Sequence, residues 1–286
     1  MEEEIFYVQA NEISRRVFER VEKILKEGMT LLELAKFIEE KIHEFGGSCA
    51  FPPNLSVNEI AAHYTPDYND STVLKKGDLI KIDIGVHVDG YISDRAKTYI
   101  IGEKSHELIK VAHEALEEAL RLIAPGNRVW QVSSKIEEIV TSYGFNPIRN
   151  LSGHGLGRYL IHTSPTIPNS KNSIKYEFKE GDIIAMEVFV TNGEGWVIDK
   201  FPALILSLRR LGPVRDKNER RIVDFVYNNF KALPFARRWI DFFSPTLRDF
   251  YLQNLVKKRV LVEYPVLVEK SGGMVAQEEE TVIVRA

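Results

Sequence analysis

The chain has 286 residues, 44% of them hydrophobic and 28% charged, with a formal net charge of -3. That is the composition of a globular protein long enough to bury a full core, and the slight negative balance argues against general affinity for nucleic acid or membrane. A lone cysteine, Cys49, excludes a disulfide framework. The acidic start Met1-Glu2-Glu3-Glu4-Ile5 lacks a secretory leader's basic and apolar regions, and no apolar run reaches the roughly 18 residues of a membrane span, so the expected location is the cytoplasm.

From about Val8 to Lys26, apolar residues at Ile13, Val17, Val21 and Leu25 predict a helix, which Gly28 ends. Thr30, with Glu33 three positions on, predicts a second helix opened by a capping box. Gly46-Gly47 closes it. Leu55-Ser56 then precede His63-Tyr64-Thr65-Pro66. Gly77-Asp78 turns into Leu79-Ile80-Lys81-Ile82-Asp83, a buried strand that ends on a carboxylate. Asp89-Gly90 is a hairpin turn. It folds Asp83 and Asp94, eleven positions apart, toward one point.

The same order is then written again. Between His106 and Gly144, Gly126 answers Gly28, Ile136-Glu137-Glu138 answers Ile38-Glu39-Glu40, and Tyr143-Gly144 answers Phe45-Gly46, all at one offset of 98 positions. Leu151-Ser152 precede His162-Thr163-Ser164-Pro165, a looser match to the block around His63. Gly181-Asp182-Ile183-Ile184-Ala185-Met186-Glu187 repeats the strand that ends on an acid. The chain therefore reads as an internal duplication aiming carboxylates at a shared site.

After Glu187 the symmetry stops. The stretch from Leu204 to Tyr264 reads as short helices over Lys217 to Phe230, Pro234 to Phe243 and Leu247 to Lys257. From Leu204 to Arg259 it carries 13 Lys and Arg against 5 Asp and Glu, enough to make it locally basic within an acidic chain. Val275 to Val284 reads as a closing strand holding Glu278, Glu279 and Glu280. Alternation sends Glu279 to the face opposite its two neighbours.

His154 stands among glycines in Ser152-Gly153-His154-Gly155-Leu156-Gly157, which permit close backbone approach and unusual dihedrals. A phosphate loop is the weaker alternative, since no Lys-Ser/Thr follows. Two aspartates, two glutamates and one histidine form a hard, oxygen-rich set that exceeds the needs of one zinc and suits two divalent ions. Such a pair activates water and clamps a carbonyl oxygen, which is hydrolytic chemistry. His63 and His162 remain as hydrogen-bond donors or proton carriers; His43, His87, His106 and His113 receive no role.

These residues resemble a known family. Ala50-Phe51-Pro52 through Ala61-Ala62-His63-Tyr64-Thr65-Pro66, Asp83 to Asp94 with Asp89-Gly90-Tyr91, and Asn150-Leu151-Ser152-Gly153-His154 with His162 carry the likeness. So do Gly193-Glu194-Gly195, Leu233-Pro234-Phe235-Ala236-Arg237-Arg238-Trp239 and Ala276-Gln277 before Glu279. Over essentially its whole length the chain is similar to the type II methionine aminopeptidases in their short archaeal form.

The resemblance implies an α+β pita-bread fold with pseudo-twofold duplication, one catalytic domain over 1–286, and a helical, winged-helix-like insertion over 204–264. It implies removal of the initiator methionine from nascent proteins with a small second residue, by a hydroxide held between two divalent ions (Mn, Fe, Co or Zn). Asp83 would bind one ion, His154 and Glu187 the other, and Asp94 and Glu279 would bridge them. Glu187 would also handle the proton of the attacking water. His162 would hydrogen-bond the scissile carbonyl, and His63 would contact the nitrogen on the leaving side. Phe51, Ile161, Phe189 and Tyr264 would line the methionine pocket. The implied partner is the N-terminal Met of nascent peptides; separately, the charge of the basic insertion makes ribosome contact through Arg220, Arg221, Arg237 and Arg238 an expectation, with a solvated face as the alternative. A monomer without specific DNA binding is expected. The chain departs from the family at Val188, where Pro is common, and at Glu278 and Glu280, where Phe and His flank the last ligand. A non-catalytic relative binding RNA or ribosomes and an Xaa-Pro peptidase are the rival expectations.

Overall fold

Each repeated stretch folds as a helix pair packed on a shared sheet. In the computed structural model, which describes residues 3–212 and 214–285, α1 (Glu4–Ile24) and α2 (Leu31–Glu44) lead into β1 (Ser48–Val57), β2 (Ile60–Ala62) and the hairpin β3 (Leu79–Val88) and β4 (Tyr91–Ile100). The second half follows with α3 (Glu107–Leu122), α4 (Val129–Ser142), β5 (Asn146–Pro147), β6 (Ser152–Gly157), β7 (Leu160–Pro168) and β8 (Ile183–Thr191). Then come β9 (Val197–Leu208), α5 (Lys217–Phe230), β10 (Phe235–Ala236), α6 (Pro245–Lys257), β11 (Leu261–Glu269) and β12 (Val275–Ile283). Met1 and Glu2, part of the acidic start considered above, lie outside the described residues.

Local chemistry sets the helix ends. The Thr30 hydroxyl accepts from Glu33 N at 3.1 Å and the Glu33 carboxylate accepts from Thr30 N at 2.9 Å, which is the expected capping box. Gly28 and its counterpart Gly126 take φ of +84° and +89°, and Gly46 and Gly144 take +89° and +78°. The left-handed terminators are thus duplicated with the helices they end. Helix α1 begins before the expected Val8, because Tyr7 and Ala10 extend its buried stripe toward the N-terminus.

The main sheet has the order β1-β3-β4-β12-β8-β6-β7, with β5 on β8. β12, the last strand, inserts between β4 of the first half and β8 of the second and joins them. One face of the sheet is covered by the helices. Val17, Leu34 and Ile38 pack there on Ile80, Ile82 and Ile84, and Val111, Ala115 and Ile136 pack on Ile184, Met186 and Val188. Apolar residues at even positions of β3 and β8 therefore leave Asp83 and Glu187, at odd positions, on the opposite face.

A second sheet, β10-β9-β11-β2, carries the segment that lacks a counterpart. α5 and α6 close over Leu206, Phe235 and Leu261 through Ile222, Val226, Leu252 and Leu255. The helix expected over Pro234 to Phe243 is absent. Phe235 and Ala236 instead pair with Leu206 and Ile205, and Arg237–Trp239 make one 3-10 turn. Strand pairing lets Phe235 stack on Phe230, with ring centroids 5.8 Å apart, in place of a helical register. Among the described residues, no helix is long and apolar enough to cross a membrane.

Candidate metal centre

One row of paired residues crosses four neighbouring strands. Asp83 stands opposite Ala96, Ala96 opposite Glu279, and Glu279 opposite Glu187. Residues two positions along share the same face. Asp94, two before Ala96, and Ala185, two before Glu187, therefore join it, and His154 of β6 stands opposite Ala185. Register alone gathers five donors on the face away from the helices. The three glutamates of β12 separate by face. Glu278 points to the helix side, where it accepts from Thr98 N at 3.0 Å, and Glu280 pairs with Arg95 at 2.5 Å.

Asp94, His154 and Glu279 are buried close together, and Asp83 and Glu187 flank them half-buried on the same face. Single ligand atoms of Asp94, His154 and Glu279 lie within 4.8 Å of one another, with His154 Nε2 3.8 Å from Asp94 Oδ2. Asp83 Oδ1, Asp94 Oδ1 and Glu279 Oε1 are buried with no hydrogen-bond partner. Burial pushes the Asp83 carboxyl up to about 7. Burial, with mutual repulsion adding to it, holds Asp94, Glu187 and Glu279 well above the usual carboxylate range. Burial also pushes His154 down to about 3, so it stays a neutral ligand. Among the described residues, no lysine or arginine pairs with these four carboxylates. Uncompensated buried charge of this kind costs several kcal/mol per ion, and orphaned oxygens beside a neutral imidazole fit divalent cations.

The glycines around His154 serve one of the two purposes expected. Gly153 and Gly155 do not occupy the left-handed region; β6 is extended. Their value is close approach. A Cβ on Gly155 would lie 2.2 Å from Ser164 O, and one on Gly153 2.9 Å from Ala185 O. The phosphate-loop alternative fails as well, since a strand and not a helix follows.

The remaining candidates line the same cavity as the carboxylates. Phe51, Ile161, Phe189 and Tyr264 line it together with His63 and His162. The His162 ring meets the His154 ring edge-on, with centroids 4.4 Å apart. His63, at φ +63°, places Nδ1 3.1 Å from Pro265 O. Burial lowers both histidines, His63 to about 4. Asn54, Ala62, Leu151, Ile205 and Pro234 also line the cavity and were not expected there. Gly85 was missed too. Any Cβ on it would meet the Phe51 ring at 2.3 Å, and its place two residues after Asp83, on the same face, was the available signal.

Residues 6–285 match metallopeptidase family M24. The chain belongs to metallopeptidase family M24. It is 46% identical over 286 residues to the methionine aminopeptidase of Thermococcus onnurineus (strain NA1), covering 99% of this chain and 97% of that protein. Among solved structures it is similar to a methionine aminopeptidase from Thermotoga maritima, at a TM-score of 0.70 and 25% identity over 96% of this chain and 90% of that one. It is also similar to a thermophilic Arx1, at a TM-score of 0.86 and 19% identity over 98% of this chain and 87% of the other, a likeness of fold alone. The pita-bread fold and the use of divalent metal go with membership of M24.

In this M24 chain the expected basic patch needs correction. Arg238 is buried and bonded to Thr65 Oγ1 at 2.7 Å, to Pro66 O at 3.0 Å and to the Glu39 carboxylate. Arg237 pairs with Asp67 at 2.7 Å. Both tie the insertion to the loop after His63 and are not available to a partner. Arg220 and Arg221 are exposed.

Proposed function

We propose that this protein is a methionine aminopeptidase that releases the N-terminal methionine of nascent proteins and prefers a small second residue. What carries the reading is the single row Asp83, Ala96, Glu279, Glu187, whose three carboxylates line one cavity with Phe51, Ile161 and Phe189, in an M24 chain 46% identical to such an enzyme. Asp83, Asp94, His154, Glu187 and Glu279 would hold two divalent ions (Mn, Fe, Co or Zn), which when bound supply Lewis-acid activation of water and of a carbonyl. Asp94 and Glu279, central in the cluster, would be shared, with Asp83 on one side and His154 and Glu187 on the other.

The chain's own groups then do the positioning. Phe51, Ile161, Phe189 and Tyr264 take the methionine side chain out of water. His162, neutral through burial, donates to the scissile carbonyl oxygen as negative charge develops there. His63 is neutral too, and Pro265 O can only accept, so its Nδ1 carries the proton. Its Nε2 therefore accepts, and suits an N–H on the leaving side. Glu187 takes the proton of the attacking water and returns it to the leaving amine.

We read the chain as one catalytic domain over 1–286 with 204–264 as a subdomain within it, monomeric and cytoplasmic. The exposed Arg220 and Arg221, with Arg209, Arg210, Arg215, Lys257 and Arg259, support ribosome contact by the active enzyme. Reversing their charge should abolish salt-sensitive co-sedimentation, and unchanged co-sedimentation would remove this patch from consideration. The main test is hydrolysis of Met-Ala-Ser against Ala-Pro by the metal-loaded protein. Release of Met from the first and no cleavage of the second is expected. Cleavage of Ala-Pro instead would favour an Xaa-Pro peptidase, and no turnover of either with any of the four metals would favour a non-catalytic binding protein.

A further inference from the structure

The two hairpins that carry the site touch at their tips. Asp83 and Asp94 belong to the β3–β4 hairpin; His154, Ile161 and His162 belong to the β6–β7 hairpin. The second hairpin is weakly held by its own sheet. β6 meets β8 only at His154 and Gly155, and β7 is the edge strand. Within β6–β7 the register shifts twice before the turn, so the ladder does little to fix the residues from 158 to 162.

The tip contact supplies that support. Tyr159, at φ +56°, donates its N–H to Gly90 O at 2.8 Å. Its ring lies on Gly90 so closely that a Cβ there would come within 2.3 Å of it. Gly90 N in turn donates to His87 Nδ1 at 3.1 Å, and the His87 ring meets the Tyr159 ring edge-on with centroids 5.6 Å apart. Arg158 adds Nε to Asp89 O at 3.0 Å and Nη2 to Asp89 Oδ2 at 2.6 Å. Both members of that ion pair are about half exposed, so it contributes little by itself. The ring packed on glycine and the backbone bond are the main elements.

We propose that Tyr159 and Gly90 are positioning residues: their clasp fixes the strand just ahead of Ile161 and His162, and so sets where His162 meets the substrate carbonyl. Four of the five proposed metal ligands are held by the β3-β4-β12-β8 ladder, and the fifth, His154, is fixed by its own pairing with Ala185 of β8, ahead of both register shifts. The clasp therefore acts on carbonyl recognition and leaves metal binding alone. This rests on the proposed role of His162. Gly90 is required twice over, by its φ of +87° and by the ring above it.

The test uses the full-length, metal-loaded protein with Met-Ala-Ser as substrate. Tyr159→Phe keeps the ring and is expected to stay within about twofold of wild type. Tyr159→Ala is expected to lose about tenfold to a hundredfold in kcat, the scale of an ångström-sized misplacement, with metal content unchanged. In a His162→Ala background the same change should cost less than about twofold, because the group being positioned is gone. Equal losses in both backgrounds, or full activity in Tyr159→Ala, would overturn the proposal. Tyr159→Leu provides a second variant should the alanine form not fold. Histidine ring 15N NMR gives a readout independent of turnover. The His162 resonances should move in Tyr159→Ala or Tyr159→Leu and hold in Tyr159→Phe, and unmoved resonances in all three would also overturn it. A wild type that does not release methionine would strike the functional reading instead, with the NMR outcome still deciding the clasp.

Discussion

Glu278, Glu279 and Glu280 are chemically identical, and strand parity alone gives them different work. Glu278→Ala removes the acceptor for Thr98 N and should cost about 1–3 kcal/mol of stability, while methionine release and metal content stay near wild type. A urea melt beside a turnover assay checks this, and loss of metal in Glu278→Ala would put the wrong glutamate in the site. His162→Ala should lower kcat by about a hundredfold to a thousandfold, as removal of an oxyanion donor does, with metal content intact. Steady-state kinetics checks it, and a change confined to KM would count against carbonyl recognition. Asp83, Asp94 and His154 were legible because a hairpin turn and a glycine-flanked histidine are local signals. Asn54, Ile205 and Pro234 were not, since they reach the cavity through the packing of a second sheet that no local pattern encodes.

At the scale of elements, the duplicated helix pairs could be read from their caps and glycine terminators, and the capping box at Thr30 has the expected bonds. Thr30→Ala should therefore cost about 1 kcal/mol. Arg238→Ala should cost about 3 kcal/mol or more, since it strands Glu39 beside a buried surface. Denaturant midpoints measure both, and a near-neutral Arg238→Ala would contradict its placement as a structural tie. The basic count of the insertion gave no hint that Arg237 and Arg238 are consumed in this way, because charge in a sequence does not reveal ion pairing. The segment from 234 to 243 misled for a related reason. Its helical pattern yields to pairing with β9, a partner about thirty residues away. The position of β12 between the two halves was equally beyond local reading.

Across the whole molecule, the buried carboxylates couple stability to pH and to metal. Burial raises the Asp83 carboxyl from its ordinary 3.8 to about 7, and Asp94, Glu187 and Glu279 are raised too. A raised acid holds its proton in the folded chain after the unfolded chain has released it. Its stabilisation is complete below its unfolded value and is lost as pH rises through its folded value. His154 and His63, lowered to about 3 and about 4, and His87 and His162, also lowered by burial, work in the opposite sense below about 6.5, so the raised acids act unopposed only above it. Metal-stripped protein should therefore melt at lower temperature as pH rises from about 6.5 to about 8, and added Mn2+ should restore more stability at the higher pH. Thermal melts with and without Mn2+ check this, and a metal effect independent of pH would contradict it. The central claim is that the carboxylate row holds the metal that drives methionine release. Metal content and Met-Ala-Ser turnover, measured on the same samples of wild type and Glu279→Ala, test it most directly. Two ions per wild-type chain, with metal and turnover lost together in the variant, is the predicted result; turnover by metal-free wild type, or metal and turnover both unchanged in Glu279→Ala, would contradict it.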